Sequence, residues 1–317
     1  MKVRENNITL NSHCMPFTSD SSESHDPIQL DYKKPPSSLM TLWHAFKSQK
    51  HTYKSGQMLP DIELSRTKID IDPKHLAAFN RICDDQNTEH ITPLYPFTIV
   101  YPYILRFLSH RDIPLSIFRS LNTRNKLVMF QPINKNNTLD IRIRLSDYRV
   151  VEKGIEVDAK SSIYKNNDLA WENIHTYYYR GKYGETDESF KPPRLDPIQN
   201  GEISDQFLIE AKNGFRFARL TGDTNGIHYN SLYARMLGFK GAFSQPLRVV
   251  SKCLQNLPIN DPERPVLLEL FYKGPVYYNH LLTLKHVSRE KSFRFDLYSE
   301  DDDRPSICGH YQTGISL

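Results

Sequence analysis

A short polar stretch in the second half of the chain, TGDTNGIHYN (residues 221–230), places Asp223, Asn225 and His228 close together. Segments rich in apolar residues flank it, FRFARL before and LYARMLGF after. A turn needs glycine, aspartate or asparagine, but it does not need a histidine. A carboxylate and an imidazole that lie together can accept and donate a proton near neutral pH. The stretch therefore suggests an acid–base pair carried on a loop.

Each of these residues also has an ordinary structural role when it is considered alone. Asp223 fits a turn, and His228 fits a histidine that is buried in a core. Asn225 is expected to hold the loop through hydrogen bonds to the backbone. The spacing by itself therefore leaves both a structural loop and a catalytic pair open.

The composition of the 317-residue chain excludes several classes of protein. Hydrophobic residues make up 38% of it, which is enough for a packed core. The net charge is only +4 and no dense basic block occurs, so nucleic acid is not predicted as a partner. The four cysteines lie far apart, which predicts neither a metal site nor a disulfide framework. There is no signal peptide and no apolar run of about 20 residues, so we expect a cytoplasmic protein without membrane insertion.

The elements that must position the polar stretch occur twice. Residues 79–96 and 217–234 share seven identical positions at an offset of 138 residues. YPYILRFL (101–108) resembles QPLRVVSK (245–252) at an offset of 144, and a third pair of segments matches at 143. Three matches at nearly constant spacing predict the duplication of one unit.

Each copy is predicted to combine several strands with one helix. The segments GIEVDAKSSIY, AWENIHTYYY, SFRFDLYS and SICGHYQT alternate with a period of two, which is typical of half-buried antiparallel strands. PLRVVSKCLQNL (246–257) has apolar residues at helical spacing, and Pro246 suits the first helical position. A helix must bury its apolar stripe against the sheet, so the pattern predicts an α+β fold.

The predicted domain boundaries follow the repeat. Residues 1–30 are polar and are expected to form a disordered tail. Residues 31–182 form the first domain, with a leading helix around Trp43, and residues 205–317 form the second domain. The polar, proline-containing stretch 183–204 is predicted to link them.

The motif FARLTGDTNGIH…ARMLGFKGAF resembles the signature of MaoC-like, hydratase 2 type (R)-specific enoyl-CoA hydratases. The first half resembles the degenerate N-terminal copy of double hot-dog hydratases, so the likeness covers most of residues 60–317. The resemblance implies a tandem (double) hot-dog fold. In that fold two antiparallel sheets each wrap a central helix and pair as a pseudo-dimer. The chain would then be a monomer or a homodimer.

The resemblance also implies a reaction and its residues. The family adds water to a trans-2-enoyl thioester, or removes it from an (R)-3-hydroxyacyl thioester. On this basis Asp223 and His228 are catalytic, and Gly222 and Asn225 support them. The resemblance favours an acyl group linked to coenzyme A over one linked to an acyl carrier protein. No cofactor or metal is expected.

Two positions depart from the family pattern. Gly226 replaces the usual proline of the loop. The His-Gly pair that begins the family's central helix is Gln245-Pro246 here, and proline has no N–H to donate to the thioester carbonyl. The remaining donors are the Gln245 side chain and the amides of Leu247 and Arg248. We therefore expect an altered oxyanion site.

The segment around the helix start is basic and is expected to bind the coenzyme A moiety of the substrate. The predicted binding residues are Phe239, Lys240, Gly241 and Arg248. Ordinary solvated charges are an equally good interpretation of each basic residue.

The first copy repeats the spacing of the polar stretch in Asp85, Asn87 and His90. Glu89 stands where Ile227 gives the second copy an apolar support. We therefore predict a vestigial first site that shapes the acyl tunnel. Two other functions stay open, namely a non-hydrating acyl-CoA-binding protein and a hot-dog thioesterase. Pro246 favours the binding protein, whereas Asp223 and His228 favour the enzyme.

Overall fold

The computed structural model describes residues 27–37, 40–41, 43, 45, 53–85, 91–223, 225–259, 264–300 and 302–315. The strands are β1 Ile28–Asp31, β2 Ile62–Asp70, β3 Ser120–Met129, β4 Thr138–Val151, β5 Gly154–Lys165, β6 Asp168–Arg180, β7 Glu202–Phe207, β8 Val266–Tyr272, β9 Leu282–Arg289, β10 Ser292–Ser299 and β11 Ile307–Thr313. The helices are α1 Pro73–Cys83, α2 Tyr95–Leu108, α3 Gly214–Thr221, α4 Ser231–Met236 and α5 Pro246–Gln255.

The order of the strands repeats from one half of the chain to the other. The first half has the order β2-β4-β5-β6-β3, and the second half has the order β7-β9-β10-β11-β8. In both halves the first strand in chain order, β2 or β7, lies at one edge of the unit. The second strand, β3 or β8, lies at the opposite edge. The order confirms the duplication that the repeat predicted.

The two halves join into one sheet. Strand β3 pairs with β8 in antiparallel register, with Arg124 opposite Phe271 and Met129 opposite Val266. The two predicted sheets are therefore continuous, and eleven strands pair edge to edge among the described residues. At the far edge β1 pairs in parallel with β2, so this strand takes up the end of the predicted tail. Residues 1–26 of that tail lie outside the described residues.

Each half buries one central helix, α2 in the first and α5 in the second. Helix α5 begins at Pro246, as predicted. The alignment of YPYILRFL with QPLRVVSK predicts a helical run that follows Pro102, but helix α2 begins at Tyr95, so this part of the prediction is wrong. Pro96 occupies the first turn, where its missing N–H costs nothing, and Pro102 lies inside the helix. Burial of α2 against the sheet stabilises a helix that an internal proline would otherwise weaken.

Helical contacts tie the halves together over the sheet. The equivalent phenylalanines of the repeat, Phe79 and Phe217, meet with their ring centroids 6.3 Å apart. His75 Nε2 donates to the Leu220 carbonyl at 2.8 Å, and its Nδ1 accepts from the Tyr95 hydroxyl at 3.0 Å. The halves therefore share one continuous hydrophobic core.

The segment between the halves contacts one strand of each half. The Phe190 ring covers the guanidinium of Arg149, with 4.2 Å between the guanidinium carbon and the ring centroid. The Ile198 N–H donates to Asp296 Oδ2 at 2.7 Å. Strand β7 begins at Glu202, inside the predicted linker 183–204.

Two further predictions concern membrane-spanning helices and the leading helix of the first domain. Within the described residues, no helix is both long enough and apolar enough to cross a membrane. The leading helix is predicted from one apolar face that also includes Leu39, Leu42 and Phe46. Trp43 is helical, and the other three residues lie outside the described residues.

Candidate active site

The polar stretch follows α3 and turns sharply at Gly222. This residue has a φ of 76°, in the left-handed region that glycine adopts without strain. A Cβ atom at this position would lie 3.0 Å from Cγ of Pro102 on α2. Gly222 is therefore required both by the turn and by the close approach of the central helix of the other half.

Hydrogen bonds within the loop orient Asp223. Its N–H donates to Thr221 Oγ1 at 3.3 Å, and its Oδ1 accepts from the N–H of Asn225, also at 3.3 Å. Asn225 Oδ1 in turn accepts from the N–H of Ile227 at 3.3 Å. Asn225 therefore holds the loop through the backbone, as its type predicts. Asp223 Oδ2 takes no part in these hydrogen bonds.

Asp223 Oδ2 lies 3.4 Å from Nε2 of His228. Both residues are buried, with 9% of Asp223 and 6% of His228 exposed. His228 Nδ1 lies 3.1 Å from the Phe243 carbonyl oxygen, and the His228 ring packs edge-on against the Phe243 ring. Because a carbonyl only accepts, Nδ1 carries the proton of the neutral imidazole. The lone pair of Nε2 therefore faces the carboxylate.

This pair offers two acceptors that point toward each other. An ionised carboxylate and an unprotonated Nε2 do not hydrogen-bond to one another directly. A water molecule that lies to one side of both atoms can donate one O–H to each. The geometry therefore suits the binding and deprotonation of one water molecule.

A third group at the pair comes from the other half of the chain. Burial, and next the negative charge of Asp223, raise the pKa of Tyr101 well above its usual value, so the hydroxyl keeps its proton. This hydroxyl hydrogen-bonds to Asp223. Sequence reasoning missed Tyr101 because it lies on α2, more than a hundred residues before the loop. The repeat gives no signal for it, because Tyr101 aligns with Gln245, the residue that precedes helix α5.

Asp223 and His228 form part of the wall of a cavity of about 270 Å³ between the two halves. Helix α2 and strand β3 form one side of the cavity, and the loop and the start of α5 form the other. Its apolar lining includes Phe97, Leu105, Ile117, Phe217, Ile227 and Phe243. A ligand in this cavity would therefore lie mostly against apolar groups, with Asp223 and His228 at its wall.

The start of α5 also lines the cavity, through Gln245, Pro246 and Leu247. The Arg248 N–H donates to the Gln245 carbonyl at 3.1 Å, so it is not available as an oxyanion donor. Gln245 Nε2 lies 3.4 Å from the Gly214 carbonyl and is directed to it. The Leu247 N–H has no partner within the described part of the chain. Leu247 is therefore the free backbone donor at this helix end.

Comparisons with known proteins identify the architecture. No family model matches the chain. The chain is 24% identical over 242 residues to the 3-hydroxyacyl-thioester dehydratase X of Mycobacterium tuberculosis, covering 74% of this chain and 86% of the relative. The crystal structure of HtdX from the same organism superposes with a TM-score of 0.68 at 20% identity, covering 79% of this chain and 99% of HtdX. The chain has the double hot-dog fold.

A second solved structure, the MaoC-like dehydratase of Phytophthora capsici, superposes with a TM-score of 0.63. The two chains are 14% identical, and the match covers 81% of this chain and 97% of that one. The predicted resemblance is thus confirmed as a likeness in sequence and in fold.

In this double hot-dog protein the predicted coenzyme A surface is only partly assembled. Lys240 is exposed, and its backbone N–H donates to the Tyr277 hydroxyl at 3.1 Å. The Phe239 ring packs against Phe243, with the ring centroids 4.8 Å apart. Lys240 and Gly241 line a second cavity of about 310 Å³ beside the first. These residues therefore lie together, and the Phe243 ring that Phe239 contacts also packs against His228.

Arg248 is not part of this surface, which corrects the prediction. Only 6% of the residue is exposed, and its Nη1 donates to the Glu210 carbonyl at 2.9 Å. Burial lowers the pKa of its guanidinium. Helical spacing placed Arg248 near the basic segment, but packing turned its side chain inward. Lys252, four residues later, pairs with Asp84 at 3.0 Å.

The vestigial site predicted in the first hot-dog copy stays a prediction. The Asp85 N–H donates to the Asn80 carbonyl at 2.8 Å. Asn87, Glu89 and His90 lie outside the described residues. Among the described residues, no group of three or more His, Cys, Asp and Glu side chains could hold a metal ion.

Proposed function

We propose that this double hot-dog protein is a hydratase/dehydratase of acyl thioesters. It adds water to trans-2-enoyl-CoA to form (R)-3-hydroxyacyl-CoA, or catalyses the reverse reaction. The observation that carries the proposal is the buried Asp223–His228 pair, 3.4 Å apart, in the wall of an apolar cavity. The name of its relative, 3-hydroxyacyl-thioester dehydratase X, supports the same chemistry.

The pair delivers water to C3 of the substrate. The water donates one hydrogen bond to Asp223 Oδ2 and one to His228 Nε2, so its oxygen lone pair faces the substrate. As the O–C3 bond forms, one water proton moves to Nε2, and the neighbouring carboxylate stabilises the imidazolium. The π electrons of the C2–C3 bond move into the thioester as an enolate. Nε2 then delivers the same proton to C2, so Asp223 and His228 return to their starting protonation states.

The enolate oxygen needs a hydrogen-bond donor. Pro246 has no N–H, and the next amide along the helix, that of Leu247, takes this role in our proposal. The positive end of the α5 dipole adds to its effect. One such donor contributes about 3 kcal/mol of transition-state stabilisation.

A coenzyme A thioester is the proposed substrate form. Lys240 is exposed and lines the second cavity together with Tyr277 and His280. An ammonium group in this position suits the phosphates of coenzyme A. The exposed Lys240 and the buried pair would then hold opposite ends of the thioester.

The decisive experiment is a hydration assay of the purified chain with crotonyl-CoA and longer trans-2-enoyl-CoAs. We expect loss of the enoyl absorbance and formation of the (R)-3-hydroxyacyl product, resolved by chiral chromatography. Asp223→Asn should nearly abolish turnover, whereas Asp85→Asn, the equivalent position in the first copy, should retain it. A wild type that binds saturated acyl-CoA in calorimetry but hydrates no enoyl-CoA would refute the proposal.

The second candidate is a non-hydrating acyl-CoA-binding protein, and Pro246 is the observation that favours it. Loss of the N–H at this position removes an oxyanion donor without closing the cavity. The binding result just described would establish this candidate in place of the enzyme.

A further inference from the structure

The loop of the candidate active site contains an Asn-Gly pair, Asn225-Gly226, between Asp223 and His228. An asparagine that precedes glycine can react with the backbone that follows it, because glycine has no side chain to block the approach. The chain has two other such pairs, Asn200-Gly201 and Asn213-Gly214. The surroundings of the pairs differ, so the structure distinguishes one pair from another.

The reaction closes a cyclic imide and then opens it. The Gly226 nitrogen bonds to Cγ of Asn225, the Cγ–Nδ2 bond breaks, and the proton of the Gly226 N–H leaves with Nδ2 as ammonia. Water then adds to one of the two imide carbonyl carbons. One product is aspartate, and the other is isoaspartate, in which the main chain runs through Cβ of the former asparagine. No electrons are gained or lost, so water is the only other reactant.

Both the nucleophile and the leaving group of Asn225-Gly226 are available. Asn225 is exposed. Within the described part of the chain, neither the Gly226 N–H nor Asn225 Nδ2 has a hydrogen-bond partner. Of the Asn225 side chain only Oδ1 is held, by the Ile227 N–H at 3.3 Å. The fold therefore protects neither of the nitrogen atoms that take part in the reaction.

The Gly226 nitrogen must turn toward the side chain before the ring can close, because Asn225 is extended with a ψ of 117°. Rotation of the peptide plane between the two residues moves the Asn225 carbonyl oxygen and the Gly226 N–H. This carbonyl accepts from the His228 N–H at 3.2 Å, a bond at the long end of the usual range. Glycine tolerates the accompanying change in its φ. The loop therefore offers little resistance to the rotation.

Packing keeps a glycine at position 226. A Cβ atom there would lie 2.8 Å from Cδ1 of the Tyr233 ring, and Tyr233 itself lines the cavity. The ring thus fills the space that a larger residue would need, including the proline of the family pattern. Proline has no N–H and could not form the imide. The exchange of proline for glycine at this position therefore introduces the reactive pair.

The pair Asn213-Gly214 is protected and serves as the matched control. Asn213 has helical backbone angles at the start of α3. Gly214 is buried, and its N–H donates to the Ala211 carbonyl. Rotation of this peptide would leave a buried N–H without its partner, which is costly. The same two residue types therefore occur in the same chain with the reacting nitrogen held.

We propose that Asn225-Gly226 is a site of spontaneous deamidation that ages the loop. Isoaspartate adds one main-chain carbon between Asp223 and His228, so the 3.4 Å separation of Oδ2 and Nε2 is lost. Aspartate keeps the loop length and can still cap the turn, but it adds a negative charge two residues from Asp223. The modification does not depend on the proposed hydratase function, whereas its effect on turnover rests on that function.

Peptide mapping of the folded wild type tests the modification. The protein is incubated at pH 6 and at pH 8, and trypsin then separates the three pairs into peptides 195–212, 213–216 and 220–235. Mass spectrometry detects the exchange of an amide for a carboxyl group, and a methyltransferase specific for isoaspartate detects the second product. Conversion should be faster at pH 8, because the attacking nitrogen must lose its proton.

Asn225 should convert at least about tenfold faster than Asn213 in the folded protein, because Gly214 must first give up a buried hydrogen bond. In urea, where both nitrogens are free, the two should convert at similar rates. Equal rates in the folded protein would overturn the proposal. So would an unconverted Asn225 at pH 8 under conditions in which the unfolded chain converts.

Hydration assays during the same incubation test the consequence. The wild type should lose its rate in step with the isoaspartate content of peptide 220–235. Asn225→Ser keeps a capping side chain but has no amide, so it should keep its own starting rate. This variant still contains the exposed Asn200-Gly201 pair, which excludes that pair as the cause. An equal loss in the variant would refute the link between deamidation and turnover.

A second measurement covers a variant with no starting rate. Aged wild type is treated with the same methyltransferase and its methyl donor, which convert isoaspartate back toward aspartate. Recovery of the hydration rate supports the proposed consequence, and repair without recovery refutes it. If fresh wild type hydrates no enoyl-CoA, the hydratase proposal fails alone, and the mass measurements still decide the modification.

Discussion

Replacement of His175 should make the protein less sensitive to acid. His175 lies on β6, is fully buried, and neither ring nitrogen has a hydrogen-bond partner within the described residues. Its ring packs against Phe97 and Tyr177, at centroid distances of 5.1 Å and 6.4 Å. Burial lowers the pKa of His175 to about 3. His175→Phe removes the titrating group but keeps an aromatic ring of similar shape.

The size of the effect follows from proton linkage. In the unfolded chain the pKa of a histidine is about 6.5, so between about pH 6.5 and pH 3 the unfolded chain binds a proton that the folded chain does not. Stability contributed by neutral His175 is therefore lost as the pH falls through this window. The unfolded state gains about 2 kcal/mol from protonation at pH 5 and only about 0.2 kcal/mol at pH 7. The free energy of unfolding should fall by about 2 kcal/mol between these pH values through His175 alone.

Urea unfolding of the wild type and of His175→Phe, each at pH 7 and at pH 5, measures this contribution. All other titrating groups are common to both proteins, so their effects cancel in the comparison. The wild type should lose about 2 kcal/mol more than the variant on acidification. Equal losses would refute the reasoning, because they would mean that folded His175 accepts a proton as readily as the unfolded chain does.

Three further predictions concern the candidate active site. Asp223→Asn and His228→Ala should each lower turnover by at least about a hundredfold with an unchanged circular dichroism spectrum, and wild-type turnover in both would remove the pair from the mechanism. Tyr101→Phe should lower kcat by about ten- to a hundredfold, because a hydrogen bond to a charged group contributes about 1.5–3 kcal/mol; an unchanged kcat would leave Tyr101 with a packing role. Pro246→Gly should lower the hydration rate by about two- to fivefold, because glycine loosens the residue before the Leu247 amide; a tenfold rise would show that the carbonyl lacked a donor.

Much of this fold can be predicted from the sequence because its patterns are local. Alternation with a period of two identifies strands such as β6, and the start of α5 follows from Pro246 and the apolar spacing after it. The repeat at a constant offset predicts two copies of one unit, and the strand order has the same repeat. The loop around Asp223 and His228 is likewise short enough to be recognised as a motif.

Local patterns failed where two conformations suit the same residues. Pro102 resembles a helix start, but it lies inside α2 because the tertiary core stabilises the helix on both sides of it. Arg248 has the spacing and charge of a surface residue, yet its guanidinium donates to the Glu210 carbonyl in the interior. In both cases the packing partners decide, and they lie far away in the sequence.

The sequence by itself determined the loop that carries Asp223 and His228, because the two residues are five positions apart and the turn between them is built from its own side chains. Only the tertiary structure decided what surrounds that loop. Pairing of β3 with β8 joins the two halves, and this brings Tyr101 to Asp223 and places Phe97 and Leu105 in the wall of the same cavity. Spacing along the chain cannot reveal these neighbours, because their proximity depends on how two sheets join at their edges rather than on any local periodicity.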